Sequence, residues 1–316
     1  MRKVALLYNP ASGQYQSRRK AVLENVLAVL RNQGIEATAL ATSAPGSAGE
    51  QIREAVRGGA DTILACGGDG TIHEALQVLV GTPVALGVVP MGTANALACD
   101  LGLPISPVEA VEMLLKARPE QIPVGRVTYR AMDGTERSRY FTVAAGIGAD
   151  AHLMYRLDAR LKRRFGYALY VVEALRIWLG HSFPYFEARI QTQEESNPEW
   201  QQISQLLAVR ISDFGGILHH LIPGAALHNR TISLVSFRTR SRWRYLLFTL
   251  AVLFGRQGNS SAVKMQQATV VECRFLNGSN SRIFVEADGE LLGGMPVKIE
   301  IATETLTLLM PSNTSR

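Results

Sequence analysis

The order of apolar runs and small-residue loops between Lys3 and Pro123 is what most constrains this chain. Lys3–Tyr8 reads as a buried strand. Arg18–Asn32 places Leu23, Val26, Leu27 and Leu30 on one helical face, with Gly34 positioned to end it. Ile35–Ala41, Thr62–Ala65 and Val84–Val89 read as further strands. Helical stretches separate them at Gly49–Val56, around Ile72, Ala75, Leu76 and Leu79, at Ala94–Asp100 and at Pro107–Ala117, before the connector Arg118–Pro123. Strands that alternate with helices require a parallel sheet covered on both faces.

Beyond that point the texture changes. Arg126–Met132 and Ser138–Ala144 flank Asp133-Gly134, a strong hairpin signal. Tyr185–Thr192, Gln205–Ser212, Thr231–Arg238, Ala268–Phe275, Arg282–Ala287, Val297–Ala302 and Leu306–Met310 read as strands, interrupted by helical stretches near Asp158–Leu179 and Arg242–Phe254. The chain of 316 residues therefore divides into an α/β domain over 1–124 and a mostly antiparallel β-sandwich over 125–316. The last strands are free in this reading to pack back on the first domain.

Composition narrows the partners. A net charge of +6 favours an anion, whether nucleotide, nucleic acid or lipid headgroup. No helix-turn-helix, aromatic RNA-binding or zinc motif accompanies that charge, so a nucleic acid is not expected. His219, His220 and His228 lack a carboxylate or thiol at ligand spacing. Cys66, Cys99 and Cys273 form no CxxC pair and fit a reducing compartment. The first apolar run is too short for a signal peptide's core, and Tyr245–Phe254 is about half the ~20 residues of a membrane span. The expected location is cytoplasmic, with peripheral contact at the inner face of the membrane left open.

In a parallel α/β sheet, ligands bind where strand ends lead into helices. Three such loops are rich in small and polar residues: Asn9-Pro10-Ala11-Ser12-Gly13, Gly67-Gly68-Asp69-Gly70-Thr71 and Met91-Gly92-Thr93-Ala94-Asn95. Glycines let backbone N–H groups approach a phosphate, and a helix N-terminus adds oriented donors. The bland alternative for any one of them is a tight turn with a capping threonine. Neither GxxxxGK[ST] nor an early GxGxxG is present, which argues against a P-loop NTPase and a dinucleotide-binding Rossmann domain.

These loops resemble the nucleotide-binding signature of the diacylglycerol kinase catalytic-domain family, which includes bacterial lipid kinases and sphingosine kinases. The matching residues are Gly67–Thr71 with Glu74, Asn9-Pro10-x-Ser12-Gly13, Pro90–Asn95, Ala145-Gly146-Ile147-Gly148-Ala149-Asp150 and Asp288-Gly289-Glu290. The GGDGT alone is shared with NAD kinases and phosphofructokinases; the ordered set is more specific. The resemblance implies an NAD kinase/phosphofructokinase-like α/β domain binding ATP, and a lipid hydroxyl presented in a cleft against the β domain. It also implies that Asn9, Pro10, Ala11, Ser12, Gly13, Thr42, Gly67, Gly68, Asp69, Gly70, Thr71, Glu74, Gly92, Thr93 and Asn95 line the ATP site. Glu290, with Asp288 beside it, would accept the hydroxyl proton, and Asp69 would help hold the catalytic Mg²⁺ or act on the hydroxyl itself. Without the resemblance, Asp288-Gly289-Glu290 is first a hairpin turn.

Two departures stand out. Many bacterial members have Asp where this chain has Ala96, and Asn95-Ala96-Leu97-Ala98 is closer to the sphingosine kinase version. In Pro223–Thr231, the positions matching the family's structural Mg²⁺ site are Ala226, Asn229 and Thr231, with Asn229 in place of Asp and Arg230 in place of Gly. An amide is a weaker ligand than a carboxylate and a guanidinium repels the ion, so no structural metal is expected.

Two basic-then-apolar segments remain. Arg156, Arg160, Lys162, Arg163 and Arg164 precede Phe165–Leu179, and Arg238, Arg240, Arg242 and Arg244 precede Tyr245–Phe254, with Trp178 and Trp243 nearby. The first reading of each is a core helix over the β domain with solvated arginines at its end; membrane contact competes with it. The leading functional expectation is an ATP- and Mg²⁺-dependent lipid kinase acting on a diacylglycerol-like or sphingoid-like hydroxyl. Its partners would be ATP and a lipid at a membrane surface, with room for a homodimer. The alternatives are another small-molecule kinase such as an NAD kinase, or a nucleotide-binding regulatory protein with little turnover.

Overall fold

The computed structural model describes residues 1–10, 19–42, 46–156, 175–195, 198–215, 222, 224–277 and 282–312. The chain forms two units, Met1–Pro123 with Thr303–Arg316, and Val124–Ala302.

In the first unit, β1 (Lys3–Tyr8), β2 (Glu36–Ala41), β3 (Thr62–Gly67) and β4 (Ala85–Pro90) form a parallel sheet in the order β2-β1-β3-β4. Leu6 lies between Ala39 and Leu64, and Leu64 lies against Gly87. The strands β3 and β4 are buried throughout, as continuous apolar runs flanked by helices must be. Those helices are α1 (Arg19–Asn32), α2 (Ala48–Arg57), α3 (Asp69–Leu79), α4 (Ala96–Asp100) and α5 (Pro107–Leu114). Leu23, Val26 and Leu30 of α1 are buried, so the face read from periodicity is the packed one. Ser106 caps α5 by accepting from the Glu109 N–H at 3.5 Å, with Pro107 following as first helical residue.

The second unit is antiparallel. The hairpin of β5 (Arg118–Arg130) and β6 (Glu136–Phe141) pairs Arg130 with Glu136 around Asp133-Gly134. There follow β7 (Ala144–Ile147), α6 (Ala149–Arg156), β8 (Phe186–Gln191), β9 (Gln201–Ile203), β10 (Gln205–Val209) and β11 (Ile232–Phe237). The unit continues with α7 (Arg242–Leu253), β12 (Val263–Ala268), β13 (Val270–Arg274), β14 (Phe284–Ala287) and β15 (Glu290–Met310). One set of strands runs β12-β11-β10-β7-β14-β15; β9, β8 and β13 join it through the later part of β15. A strand shared by two sets is how a sandwich turns its corner. Phe186, Ile190, Val271 and Ile299 from one set meet Ile147, Leu206, Leu234 and Val285 from the other in one core.

Several details differ from the sequence reading, which had no element at α6 or β9. Val297–Ala302 and Leu306–Met310 are parts of a single strand of 21 residues, whose end pairs in parallel with β4 at Leu308↔Leu86. Gly293, Gly294 and Pro296 had masked its start, and a register shift between Val285 and Glu286 accommodates it. The connector Arg118–Pro123 is already strand. A further strand, β12, carries Lys264, Gln266 and Gln267, and its polarity hid it; it ends the strand path, where charge and polarity discourage further pairing. Among the described residues no helix is long and apolar enough to cross a membrane.

Candidate active site

Because β1, β3 and β4 are parallel, their carboxyl ends share one edge of the first unit's sheet. Asn9-Pro10, Thr42, the Gly67 loop and the Gly92 loop all emerge there, while Ala11, Ser12 and Gly13 lie outside the described residues. The Thr42 N–H donates to the Tyr8 carbonyl at 2.9 Å, and an Arg19 Nη donates to the Pro10 carbonyl. Glu74, one turn into α3, accepts from the Gly46 N–H at 3.2 Å.

The two glycine loops are locked together. A Cβ on Gly92 would stand 2.4 Å from the Cα of Gly68, so both positions must be bare for the backbones to touch. The Met91 N–H donates to the Gly67 carbonyl at 3.0 Å. Asn95, left-handed at φ 53°, accepts from the Gly92 N–H at 2.8 Å and donates back to its carbonyl at 3.0 Å. Asp69 Oδ1 accepts from the Ala96 N–H at 2.9 Å, so the acid of one loop is tied to the helix that follows the other. Ala96 thus contributes a backbone donor, and its methyl is buried. The clasp leaves Gly70, Thr71, Gly92 and Asn95 partly accessible and Thr93 exposed, beside the N-terminus of α3. That combination can receive an anionic phosphate chain.

The second unit holds the remaining carboxylates. Asp288 and Gly289 have φ of 48° and 80° and close the two-residue turn between β14 and β15, with Ala287 opposite Glu290. The Asp288 carboxylate is buried and accepts from the N–H groups of Thr142, Val143 and Ala144 at 3.1, 2.8 and 3.1 Å. Asp288 is thereby occupied with holding the turn, beside Glu290 in sequence but with its carboxylate oxygens engaged by backbone donors. Glu290 is the exposed one.

Sequence reasoning missed a second acidic pair. A Cβ on Gly146 would fall 1.8 Å from Asp150 Oδ2 and 2.8 Å from Glu286 Oε1, so both carboxyls crowd over that glycine. Burial pushes the Asp150 carboxyl up to about 7. Burial, then the Asp150 charge, pushes Glu286 well above the usual carboxylate range. Two such groups hold protons that exposed acids release. Glu286 Oε2 also accepts from the Gly289 N–H at 2.9 Å, tying the pair to the turn that carries Glu290. The Gly146-x-Gly148 spacing before α6 was the available signal, since it repeats the strand–glycine–helix pattern of the first unit.

Among the described residues, no group of three or more His, Cys, Asp or Glu is placed to hold a metal ion alone. The loop of Ala226, Asn229 and Thr231 does not suit a cation. Its carbonyls at Leu227, Asn229 and Thr231 accept from the buried Arg210 guanidinium at 2.6, 2.6 and 3.0 Å. Asn229 Nδ2 donates to the Gly224 carbonyl at 2.8 Å, and Thr231 Oγ1 to Gln267 Oε1 at 2.9 Å. Positive charge is already supplied from within the chain, by Arg210 and not by the exposed Arg230. His219 and His220 lie outside the described residues.

An α/β unit with clasped glycine loops, followed by an antiparallel β unit with an acidic turn, is the fold class of diacylglycerol and NAD kinases. The family model for the diacylglycerol kinase catalytic domain matches residues 3–127, and that for the YegS C-terminal NAD kinase beta sandwich-like domain matches 142–310. The chain belongs to the diacylglycerol kinase catalytic-domain family. It is 24% identical to a diacylglycerol kinase of Bacillus subtilis (strain 168), covering 98% of this chain and 97% of the relative. It is 26% identical to one of Mycobacterium tuberculosis (strain ATCC 25618 / H37Rv), covering 98% and 95%. A crystal structure of a diacylglycerol kinase from Bacillus anthracis str. Sterne superposes with a TM-score of 0.70 at 18% identity, over 99% and 98% of the two chains. Yeast NADH kinase complexed with NADH does so at 0.56 and 11%, over 99% and 85%. At those identities the structural likeness speaks for the fold.

Proposed function

We propose that this chain is an ATP-dependent lipid kinase that transfers the γ-phosphoryl group to a lipid hydroxyl. The clasp of the Gly68 and Gly92 loops around Asp69 carries this reading. It offers backbone donors, a helix N-terminus and one carboxylate at a single edge. Asn9, Pro10, Thr42, Gly67, Gly68, Gly70, Thr71, Glu74, Gly92, Thr93 and Asn95 line the nucleotide, and the family signature adds Ala11, Ser12 and Gly13, which lie outside the described residues. A single carboxylate joined by phosphate oxygens is the usual donor set for Mg²⁺, and Asp69 fits that role. The ion, when bound, neutralises charge developing on the phosphates.

Phosphoryl transfer needs positioning and charge neutralisation more than covalent help. The acceptor oxygen forms a bond to the γ-phosphorus as the bond to the β,γ-bridging oxygen breaks, and ADP leaves. The hydroxyl proton passes to the Glu290 carboxylate. Asp288 and Glu286 keep the turn that carries Glu290 in place through their backbone hydrogen bonds.

Labelled ATP offered with dispersed diacylglycerol and NAD side by side tests the acceptor class. Label in the lipid alone is the expected result. Label in NAD would overturn the lipid reading, and ATP binding with no product would favour a regulatory protein.

A further inference from the structure

The helix α7 presents the wrong face for a core helix. Only Tyr245 and Val252 are buried. Trp243, Leu247, Leu250 and Phe254 recur at i, i+4, i+7 and i+11, a single stripe, and are 66%, 64%, 39% and 74% exposed. This overturns the reading of Arg242–Phe254 as a core helix; the basic run from Arg160 to Arg164 and its apolar sequel to residue 174 lie outside the described residues.

The presentation is held from beneath. The Tyr245 ring stacks on Phe183 and Phe237 at 4.3 and 4.4 Å, and its hydroxyl meets Ser204 Oγ at 2.8 Å. The Trp178 indole N–H donates to the Arg242 carbonyl at 2.9 Å, and its ring meets Trp243 edge-on at 5.4 Å. This joins helix 175–180, with Leu179 56% exposed, to the same patch.

Charge selects the occupant. From Arg238 to Lys264 the chain has arginines at 238, 240, 242, 244 and 256 and no Asp or Glu. They stand at both ends of the apolar stripe. A second copy of this chain, meeting the patch face to face about a two-fold axis, would set these cations against themselves. An anionic bilayer offers the opposite charge, an apolar interior for the leucines and phenylalanine, and a boundary layer that suits tryptophan.

We propose that α7 and helix 175–180 form a docking surface for an anionic lipid bilayer, lying in its interface without crossing it. The surface stands on its own residues and does not require the lipid-kinase reading to be right. The test is co-sedimentation with phosphatidylcholine vesicles with and without phosphatidylglycerol, using wild type, Leu247→Glu/Phe254→Glu and Arg242→Glu/Arg244→Glu. These side chains are exposed, so the variants are expected to fold, which their melting curves check. Wild type is expected to bind the phosphatidylglycerol vesicles, and the arginine double variant to bind them at least about 20-fold more weakly, roughly five-fold per cation. The leucine–phenylalanine variant should lose binding by a similar factor. Absent wild-type binding, or unchanged binding by Leu247→Glu/Phe254→Glu, would overturn the proposal. So would vesicle binding that is unaffected while light scattering shows a dimer becoming a monomer, which assigns the patch to a second copy. Kinase rates on detergent-dispersed lipid, measured in parallel, report separately on the proposed activity.

Discussion

Gly92 shows how much of the site rests on the absence of one atom. With a Cβ placed 2.4 Å from the Gly68 Cα, Gly92→Ala must push backbone against backbone. Overpacking of this kind costs about 1–3 kcal/mol. ATP affinity measured by calorimetry should fall along with the melting temperature, and an unaltered ATP affinity would contradict the role given to the clasp. Arg210 makes a different claim. Replacing it by Met leaves one buried and two partly buried carbonyls without their donor, so a loss of roughly 1–3 kcal/mol is expected in denaturant titration. The wild-type melting curve without nucleotide should be the same in EDTA and in excess Mg²⁺, and a shift would place a metal where we find a guanidinium. The glycine loops were legible in sequence because all their partners lie in loops of one sheet edge. Arg210 was not, since it meets carbonyls 17 to 21 residues away across a turn that gives no signal.

The elements β7, α6 and β14 carry a pH dependence. Burial raises the Asp150 carboxyl to about 7, so the folded chain keeps a proton that the unfolded chain has released. Stability from this group is fully present below the ordinary carboxyl value of about 4 and is lost as pH rises towards 7. Asp150→Asn removes the titration, so its melting temperature relative to wild type should climb across that window and level off above it. A difference that stays flat with pH would show that Asp150 is ionised in the fold. Elements were read well where apolar periodicity was regular, as in α1, β3 and the β5–β6 hairpin. They were misread where polarity or glycine stood in for a boundary, as in β12 and the first half of β15. The stripe on α7 was visible, but which side it faced was not. Periodicity marks a face, and only tertiary packing decides whether that face turns inward.

At the scale of the whole molecule, the chain combines clasped glycine loops in one unit with an exposed, well-held carboxylate in the other. Membership of the diacylglycerol kinase catalytic-domain family gives that combination its chemistry, and the ordered motifs from Asn9 to Glu290 made the membership readable before any geometry. The acceptor was never readable, because lipid selectivity depends on the shape made by ordinary aliphatic side chains. One measurement addresses the central claim most directly: transfer of γ-labelled phosphate from ATP into a total lipid extract by wild type, Asp69→Asn and Glu290→Gln. Wild type should label a lipid. Glu290→Gln should lower the rate by a factor of about 10²–10⁴ with its melting temperature unchanged, as expected for loss of a general base at an exposed position. Asp69→Asn should be comparably slow. Lipid labelling that persists at the wild-type rate in Glu290→Gln would contradict the account.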